Sequence, residues 1–259
     1  MSDSDSDSDS DSGMSQLDYD LLRAISDGDL TKTRMLLNQG ANINARPKSE
    51  EDALWASMGH GSDSPYWFEF IIENGYDFKE FFKYDEPLGF NLMMRFMRGT
   101  GGDVEMSRIV LKYFPFDLNF IDNKGFSLLH RIIFENERLW NALPFIKFLL
   151  ENGANINAQV ENDGYLGGDT ALILMAKEVS EWGLHKDLKD TIELLFEYGA
   201  NQTIKNNHGE TVFDIDNRIW PIFRKFRHNR EVTRRGILQV GANLPSNVNE
   251  NIYNHLYYR

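Results

Sequence analysis

Histidine is the residue best suited to proton transfer and metal binding near neutral pH, and the sequence contains six histidines. They lie far apart, and none has the short HExxH spacing with which two histidines bind one zinc ion. The sequence has no cysteine, which excludes disulfides, thiolate zinc sites and a thiol nucleophile, and which favours a reducing compartment. We therefore expect neither a metal ion nor another cofactor.

Two other groups of residues have types that occur in active sites. The stretch 99–102 is rich in glycine, but no Lys-Ser or Lys-Thr pair follows it and Asp103 would repel phosphate. Glu50, Glu51 and Asp52 form an acidic run, which is better explained as a turn and a helix N-terminus than as paired catalytic carboxylates. Since no set of nucleophile, base and oxyanion donors is visible, the sequence predicts a protein that is not an enzyme.

The net charge of -13 is unevenly distributed along the chain. Residues 218–259 carry eight Arg and Lys against two Glu, whereas residues 17–217 carry a net charge of -14. An acidic body disfavours nucleic-acid binding, because contacts to phosphate need a basic surface. Only the C-terminal segment could supply such a surface.

The first segment, residues 1–16, contains five Asp and no basic residue. Residues 2–12 have no apolar side chain and repel one another, so we expect a disordered tail. The serines that have Asp at positions +1 and +3, the pattern of acidophilic kinase sites, are Ser2, Ser4, Ser6 and Ser8. The alternative is an unmodified tail that only increases solubility.

Two phrases recur along the chain in alternation. The first places a pair of aliphatic residues before a glycine and an Asn-rich end, and it occurs as LLNQGANIN at 36–44, LLENGANIN at 149–157 and LFEYGAN at 195–201, with weaker copies at 71–77 and 110–117. The second contains Gly-x-Ser or Gly-x-Thr and occurs within 122–130, 168–172 and 207–211, with a degraded copy at 89–93. Such self-similarity indicates a repeat protein.

These phrases resemble the ankyrin repeat, a turn and two antiparallel helices of about 33 residues. The resemblance implies an all-α ankyrin-repeat solenoid, in which Ser or Thr caps each first helix and a left-handed glycine follows each second helix. Second helices are then expected to end near Gly40, Gly75, Phe114, Gly153 and Gly199. The structural positions implied by the repeat are Gly40, Gly75, Gly125, Gly153, Gly168, Gly199 and Gly209, together with His130, which would hydrogen-bond across its turn. In style, the irregular Asn-rich array is similar to ankyrin proteins of large DNA viruses and of some intracellular bacteria.

The repeats divide the sequence into three parts. These are a disordered acidic tail (1–16), an array of five full repeats and a terminal half-repeat (17–228), and a basic linker with a short C-terminal helix (229–259). The fifth repeat is the longest, because 46 residues separate Gly153 from Gly199 where about 33 suffice. We expect such insertions to form loops, since stacked helices cannot absorb them.

Aromatic residues within or beside the insertions are candidates for partner binding, and they are Trp140, Tyr165 and Trp182. No core position requires an aromatic residue there, and amphipathic aromatic side chains on supported loops are typical binding anchors. The alternative is that they cover their own repeat as lids. The aromatic residues expected to fill the core of the second repeat are Trp55, Trp67, Phe68 and Phe70.

The chain ends in a basic stretch followed by an apolar pattern. Six Arg or Lys lie between Arg224 and Arg235. Because the apolar residues from Ile219 to Phe226 have helical spacing, a capping helix is favoured over a nuclear-import or nucleic-acid patch. The later apolar pattern consists of Leu244, Pro245, Val248, Ile252 and Leu256.

That later pattern resembles the opening helix of an F-box, which implies docking to the linker subunit of a ubiquitin ligase. The acidic residue expected after Pro245 is absent, and only three residues follow Leu256. The alternative is a short helix that packs on the end of the array.

The sequence therefore predicts a monomeric, non-enzymatic scaffold that binds another protein, with a ubiquitin-ligase substrate adaptor as the alternative. No apolar run approaches the roughly 20 residues that span a bilayer, and the acidic N-terminus is not a secretory signal. We expect a cytoplasmic protein with no membrane or nucleic-acid partner, and the nucleus is the alternative location.

Overall fold

The structure is a computed structural model that describes residues 14–47, 52–78, 86–100, 104–135, 142–162 and 164–229. Within these ranges no β-strand forms beyond one isolated antiparallel bridge between Gln159 and Thr170. The α-helices are α1 (Gln16–Ser26), α2 (Leu30–Asn38), α3 (Ala53–Ser57), α4 (Ser64–Glu73), α5 (Leu88–Thr100), α6 (Val104–Tyr113), α7 (Leu128–Glu135), α8 (Ala142–Glu151), α9 (Ala171–Trp182), α10 (Lys186–Glu197), α11 (Val212–Ile215) and α12 (220–229). The predicted all-α class is confirmed.

Second helices end where the repeated glycines predicted. The helices α2, α4, α6, α8 and α10 stop one or two residues before Gly40, Gly75, Phe114, Gly153 and Gly199. The four glycines have φ between 81° and 97°, a left-handed conformation that a side chain disfavours. At Gly153, the following Ala154 N–H bonds to the Leu149 carbonyl at 3.0 Å, which satisfies a carbonyl at the helix end.

First helices begin at polar caps. The Asp52 carboxylate accepts from Trp55 N–H at 3.0 Å, and the Thr170 hydroxyl accepts from Ile173 N–H at 3.3 Å. In the first repeat, α1 begins at Gln16 behind Ser15, whose hydroxyl accepts from Asp18 N–H at 3.2 Å.

The described residues form two compact units, which lie within 1–117 and 118–259. In the first unit, α1 pairs with α2, α3 with α4 and α5 with α6, while α1 also contacts α3 and α4 contacts α6. In the second, α7 pairs with α8 and α9 with α10, while α7 contacts α9, α8 contacts α10 and α9 contacts α11. Within each unit, helix pairs therefore stack on the pairs beside them.

The apolar face of α10 is covered by α12. Phe223 and Phe226 lie against the Phe196 ring, with centroid distances of 5.2 and 5.9 Å, and Ile222 is buried. Exposed basic side chains, including Lys225, occupy the outer positions of α12. This arrangement agrees with the capping role predicted for the segment.

Trp55 does not belong to the core, contrary to the expectation. Trp67, Phe68 and Phe70 are buried as predicted, but Trp55 is 52% exposed. The other four residues of α3, including Leu54, are the ones that face the core. The Trp55 ring instead lies 5.3 Å from the guanidinium of Arg95.

Candidate partner-binding site

The insertion between α8 and α9 folds back on itself through its backbone. The Val160 N–H bonds to the Asp169 carbonyl at 2.9 Å, and the Gly168 N–H bonds to the Val160 carbonyl at 2.9 Å. The Asp169 N–H closes a tighter turn on the Leu166 carbonyl at 3.0 Å. These bonds satisfy backbone groups that would otherwise need water, so the described part of the loop is internally paired.

Backbone hydrogen bonds also connect this loop to the turns on both sides. The Glu161 N–H bonds to the Gly125 carbonyl at 2.8 Å, and the Asn207 N–H bonds to the Gly167 carbonyl at 3.0 Å. At Gly125, φ is 83° and a Cβ atom would overlap the Glu161 carbonyl. The glycine of the repeat phrase is thus required both for its conformation and for this close approach.

A buried ion pair lies beneath the loop. The Asp169 side chain is fully buried, and its Oδ2 lies 2.6 Å from Lys177 Nζ on α9. Asn206 Nδ2 donates to Asp169 Oδ1 at 3.0 Å. Burial raises the pKa of the Asp169 carboxyl, while the hydrogen bonds from Lys177 and Asn206 oppose that change.

Lys177 connects this ion pair to Tyr165. Its Nζ donates to the Tyr165 backbone carbonyl at 2.9 Å and lies 3.9 Å from the centre of the Tyr165 ring. The ring is nevertheless 73% exposed. Tyr165 therefore does not act as a lid over its repeat; it presents an aromatic surface that a cation–π contact holds in place.

The other two aromatic candidates lie in different settings. Trp182 is the last residue of α9 and is 67% exposed, so it is not a lid either. Gly183, with φ 83°, ends the helix directly after it. Trp140 lies outside the described residues. Tyr165 and Trp182 are thus large exposed aromatic side chains in the described part of the fifth repeat.

His130 is structural, as the repeat implied. Its Nδ1 accepts from Ser127 N–H at 3.2 Å, so its Nε2 carries the proton and donates to the Ala158 carbonyl at 3.0 Å. Burial lowers the pKa of His130 to about 4, which keeps the ring neutral at physiological pH.

Asparagines of the first phrase join consecutive repeats. Asn157 Oδ1 accepts from Asn201 N–H at 2.8 Å, and Asn44 Oδ1 accepts from the backbone N–H two residues after Gly75 at 2.5 Å. The preceding asparagine turns the chain locally, since Asn155 Oδ1 accepts from Asn157 N–H at 3.0 Å. The Asn-rich character of the array thus has a structural cause.

The structure adds residues to the site that sequence reasoning missed. Lys177 carries no repeat signature and Asp169 occupies the variable position of the second phrase, while the bond from Asn206 to Asp169 joins positions 37 residues apart. The ligase-docking candidates and the tail serines lie outside the described residues. In the described ranges, no cluster of three or more His, Cys, Asp or Glu is placed to hold a metal ion. No described helix has the length and apolar character needed to cross a bilayer.

Of the comparisons with known proteins, the one with solved structures bears on the fold. No protein-family model matches the sequence, and a search of curated proteins found no match. Among solved structures, the chain is similar to the ankyrin repeat protein EF0377, with 22% identity, a TM-score of 0.51, and coverage of 82% of this chain and 97% of that one.

Two further structures are ankyrin repeat domains. One comes from Acinetobacter baumannii AYE, with 19% identity, a TM-score of 0.49, and coverage of 81% of this chain and 93% of that one. The other is the ankyrin repeat domain of Bcl-3, a member of the IkappaB family, with 18% identity, a TM-score of 0.49, and coverage of 79% and 97%. From the paired helices, their glycine ends and the likeness to EF0377, the chain has the ankyrin-repeat fold.

Proposed function

We propose that this chain is a non-enzymatic, monomeric interaction module that binds a partner protein through Tyr165 and Trp182. The observation that carries the proposal is the exposed Tyr165 ring, which is held on a loop tied by hydrogen bonds to both neighbouring turns. Exposed amphipathic aromatic side chains on a supported loop are typical anchors for a protein partner. Ankyrin repeat domains generally serve as protein-interaction modules, which supports the same role.

The arrangement suits binding because the loop that carries Tyr165 is already ordered, so binding would cost little conformational entropy. The Tyr165 carbonyl is held by Lys177, and the loop behind it is fixed by the bonds to Gly125 and Asn207. A partner that covers the ring therefore does not have to order the loop first. Aromatic anchors of this kind contribute about 2 kcal/mol or more when a partner encloses them.

The proposal is tested by recovering partners with the immobilised full chain and identifying them by mass spectrometry. Affinity of a purified partner is then compared for the wild type, Tyr165→Ala, Trp182→Ala and the double variant. We expect the double variant to lose at least about tenfold in affinity, with an unchanged thermal midpoint. Tyr66→Ala, which removes another exposed tyrosine, is the matched control.

Two results would contradict this proposal. One is that the double variant keeps full affinity while its thermal midpoint falls, because the rings would then stabilise the fold. The other is that the wild-type chain captures no protein above the level of an unrelated control chain.

The adaptor role is a second proposal, and it rests on the spacing of Leu244, Val248, Ile252 and Leu256 alone. The likeness to viral ankyrin proteins likewise rests on the sequence phrases. Direct binding of the purified ligase linker subunit, lost in Ile252→Asp but kept in Asn251→Asp, would support the adaptor role. The adaptor proposal is contradicted if the wild-type chain does not bind the linker subunit.

A further inference from the structure

A second feature of unit 118–259 lies beside the Tyr165 loop. Turn residues enclose an open groove of about 630 Å³, which we call the amide groove. Its polar lining consists of Asn119, Asn155, Asn157, Gln159, Asn162 and Asn207, with Glu161 as the charged residue. All of these residues lie in the connections between helices and none lies on a helix.

In three of the side chains that line the groove, one of the two polar amide atoms forms hydrogen bonds within the protein. Asn155 Oδ1 accepts from Asn157 N–H, and Asn157 Oδ1 accepts from Asn201 N–H. Gln159 Nε2 donates to the Gly168 carbonyl at 2.7 Å and to the Lys205 carbonyl at 3.0 Å. These bonds fix the orientation of each side chain before any ligand arrives.

Four of the groove side chains, Asn155, Asn157, Gln159 and Asn207, have one polar amide atom left open by the described residues, whereas both amide atoms of Asn162 are already bonded. Within the described part of the chain, no partner is present for the Nδ2 groups of Asn155 and Asn157, for Gln159 Oε1 or for Asn207 Oδ1. The groove therefore offers donors and acceptors together. A peptide backbone presents one donor and one acceptor at each residue, which matches such a lining.

The shape and charge of the groove limit what it accepts. Pockets for small molecules are mostly apolar and enclose their ligand, whereas this groove is open and lined by amides. Among the described residues no Lys or Arg lines it, so this lining lacks the cations that phosphate recognition needs. Glu161 is exposed and would favour a cationic side chain.

We propose that the amide groove binds an extended peptide segment of a partner protein, pairing with its backbone and placing a Lys or Arg against Glu161. This inference rests on the proposed function and names the kind of segment that the partner supplies. It adds a surface to the Tyr165 and Trp182 anchors. Because the groove would recognise the peptide backbone, we expect most side chains of the peptide to be replaceable, whereas its Lys or Arg is required.

The probe is a phage-displayed library of random twelve-residue peptides selected against the full chain, followed by anisotropy titrations of the selected peptides with a fluorescein label. We expect the selected peptides to contain Lys or Arg. Replacing that residue by Gln, or Glu161 by Gln, should each weaken binding about tenfold, and the two changes together should weaken it little further. Methylating backbone nitrogens should weaken binding more than replacing side chains by Ala.

Asn155→Asp and Asn157→Asp test the amides without removing their structural role. Each keeps the Oδ1 acceptor and loses the Nδ2 donor. We expect at least about fivefold weaker peptide binding in 0.5 M salt, where the added charge is screened, with unchanged urea midpoints. Gln39→Glu and Glu197→Gln, exposed positions outside the groove, are the matched controls.

The outcomes separate this inference from the proposed function. The inference is overturned if Glu161→Gln and both Asn→Asp variants bind the peptides as the wild type does, if no peptide is selected, or if a labelled single-stranded DNA takes the place of the peptide. If Tyr165→Ala loses the partner protein while the groove variants keep it, the proposed function stands without the groove. A partner lost by both sets of variants supports both.

Discussion

The amide of Asn119 holds the backbone of the following repeat at two points. Its Oδ1 accepts from Asn155 N–H at 2.6 Å, and its Nδ2 donates to the Gly153 carbonyl at 3.3 Å. One side chain thus fixes the distance between two turns of unit 118–259. The same arrangement occurs at Asn44, whose Nδ2 donates to the Gly75 carbonyl at 3.1 Å.

Asn119→Leu should therefore destabilise the fold although the residue is exposed. Both hydrogen bonds are lost, and we expect the free energy of unfolding to fall by about 1 kcal/mol in urea denaturation. Asn119→Asp, which keeps the acceptor for Asn155 N–H, should lose less. Equal midpoints for the wild type and the Leu variant would contradict a structural role for this amide.

Gly153→Val and Gly199→Val should each lower stability by about 1 kcal/mol or more. At both positions the space around a Cβ atom is empty, so the cost comes from the left-handed backbone alone. Gly59→Ala, at a glycine without positive φ, is the control and should be nearly neutral. If chemical denaturation does not separate the Val variants from this control, the caps do not carry the expected strain.

Lys177→Met should be strongly destabilising near neutral pH, because it leaves the Asp169 carboxylate buried without its counter-charge. The pKa of Asp169 is already raised by burial, so ionisation of Asp169 costs stability once the pH exceeds its ordinary value near 4. The penalty of Lys177→Met should thus be larger at pH 7 than at pH 4. Adding Asp169→Asn should recover much of the loss, as judged from unfolding at both pH values; a penalty independent of pH would rule this account out.

Burial of His130 should cause a second pH dependence of the free energy of unfolding, opposite in sign to that of Asp169. Its pKa is lowered to about 4 in the folded chain, against about 6.5 in the unfolded chain, so the unfolded state binds the proton more tightly. Stability should fall as the pH drops from about 6.5 to 4, by on the order of 3 kcal/mol from this residue. His130→Gln should be less stable at pH 7 but should show a flatter profile over that range. Parallel profiles for the two proteins would exclude His130 as the titrating group.

The sequence predicted those parts of the fold that depend on local geometry. Gly153 and Thr170 mark a helix end and a helix start because backbone conformation and capping are set within a few residues. The exposure of Trp55 was not predicted, because its ring lies against Arg95 of α5 and that contact depends on how α3 and α5 meet in three dimensions.

The candidate site, too, could be predicted from the sequence only in part. Tyr165 was identified as a candidate because it lies in an insertion, which is visible by counting. Lys177 was not, because its role depends on meeting Asp169 and the Tyr165 carbonyl in three dimensions. Asn155 and Asn157 were read as features of the repeat, and only their contacts show which atoms remain open.

Lys177 binds the main-chain oxygen of Tyr165, so this hydrogen bond does not depend on which side chain stands at position 165. Any residue at position 165 supplies that carbonyl, and any residue except proline at 161 supplies the N–H that bonds to Gly125. Both side chains can therefore be exchanged while the tether persists. These two positions form a natural pair for a randomised library, from which binders of new specificity could be selected on an unaltered scaffold.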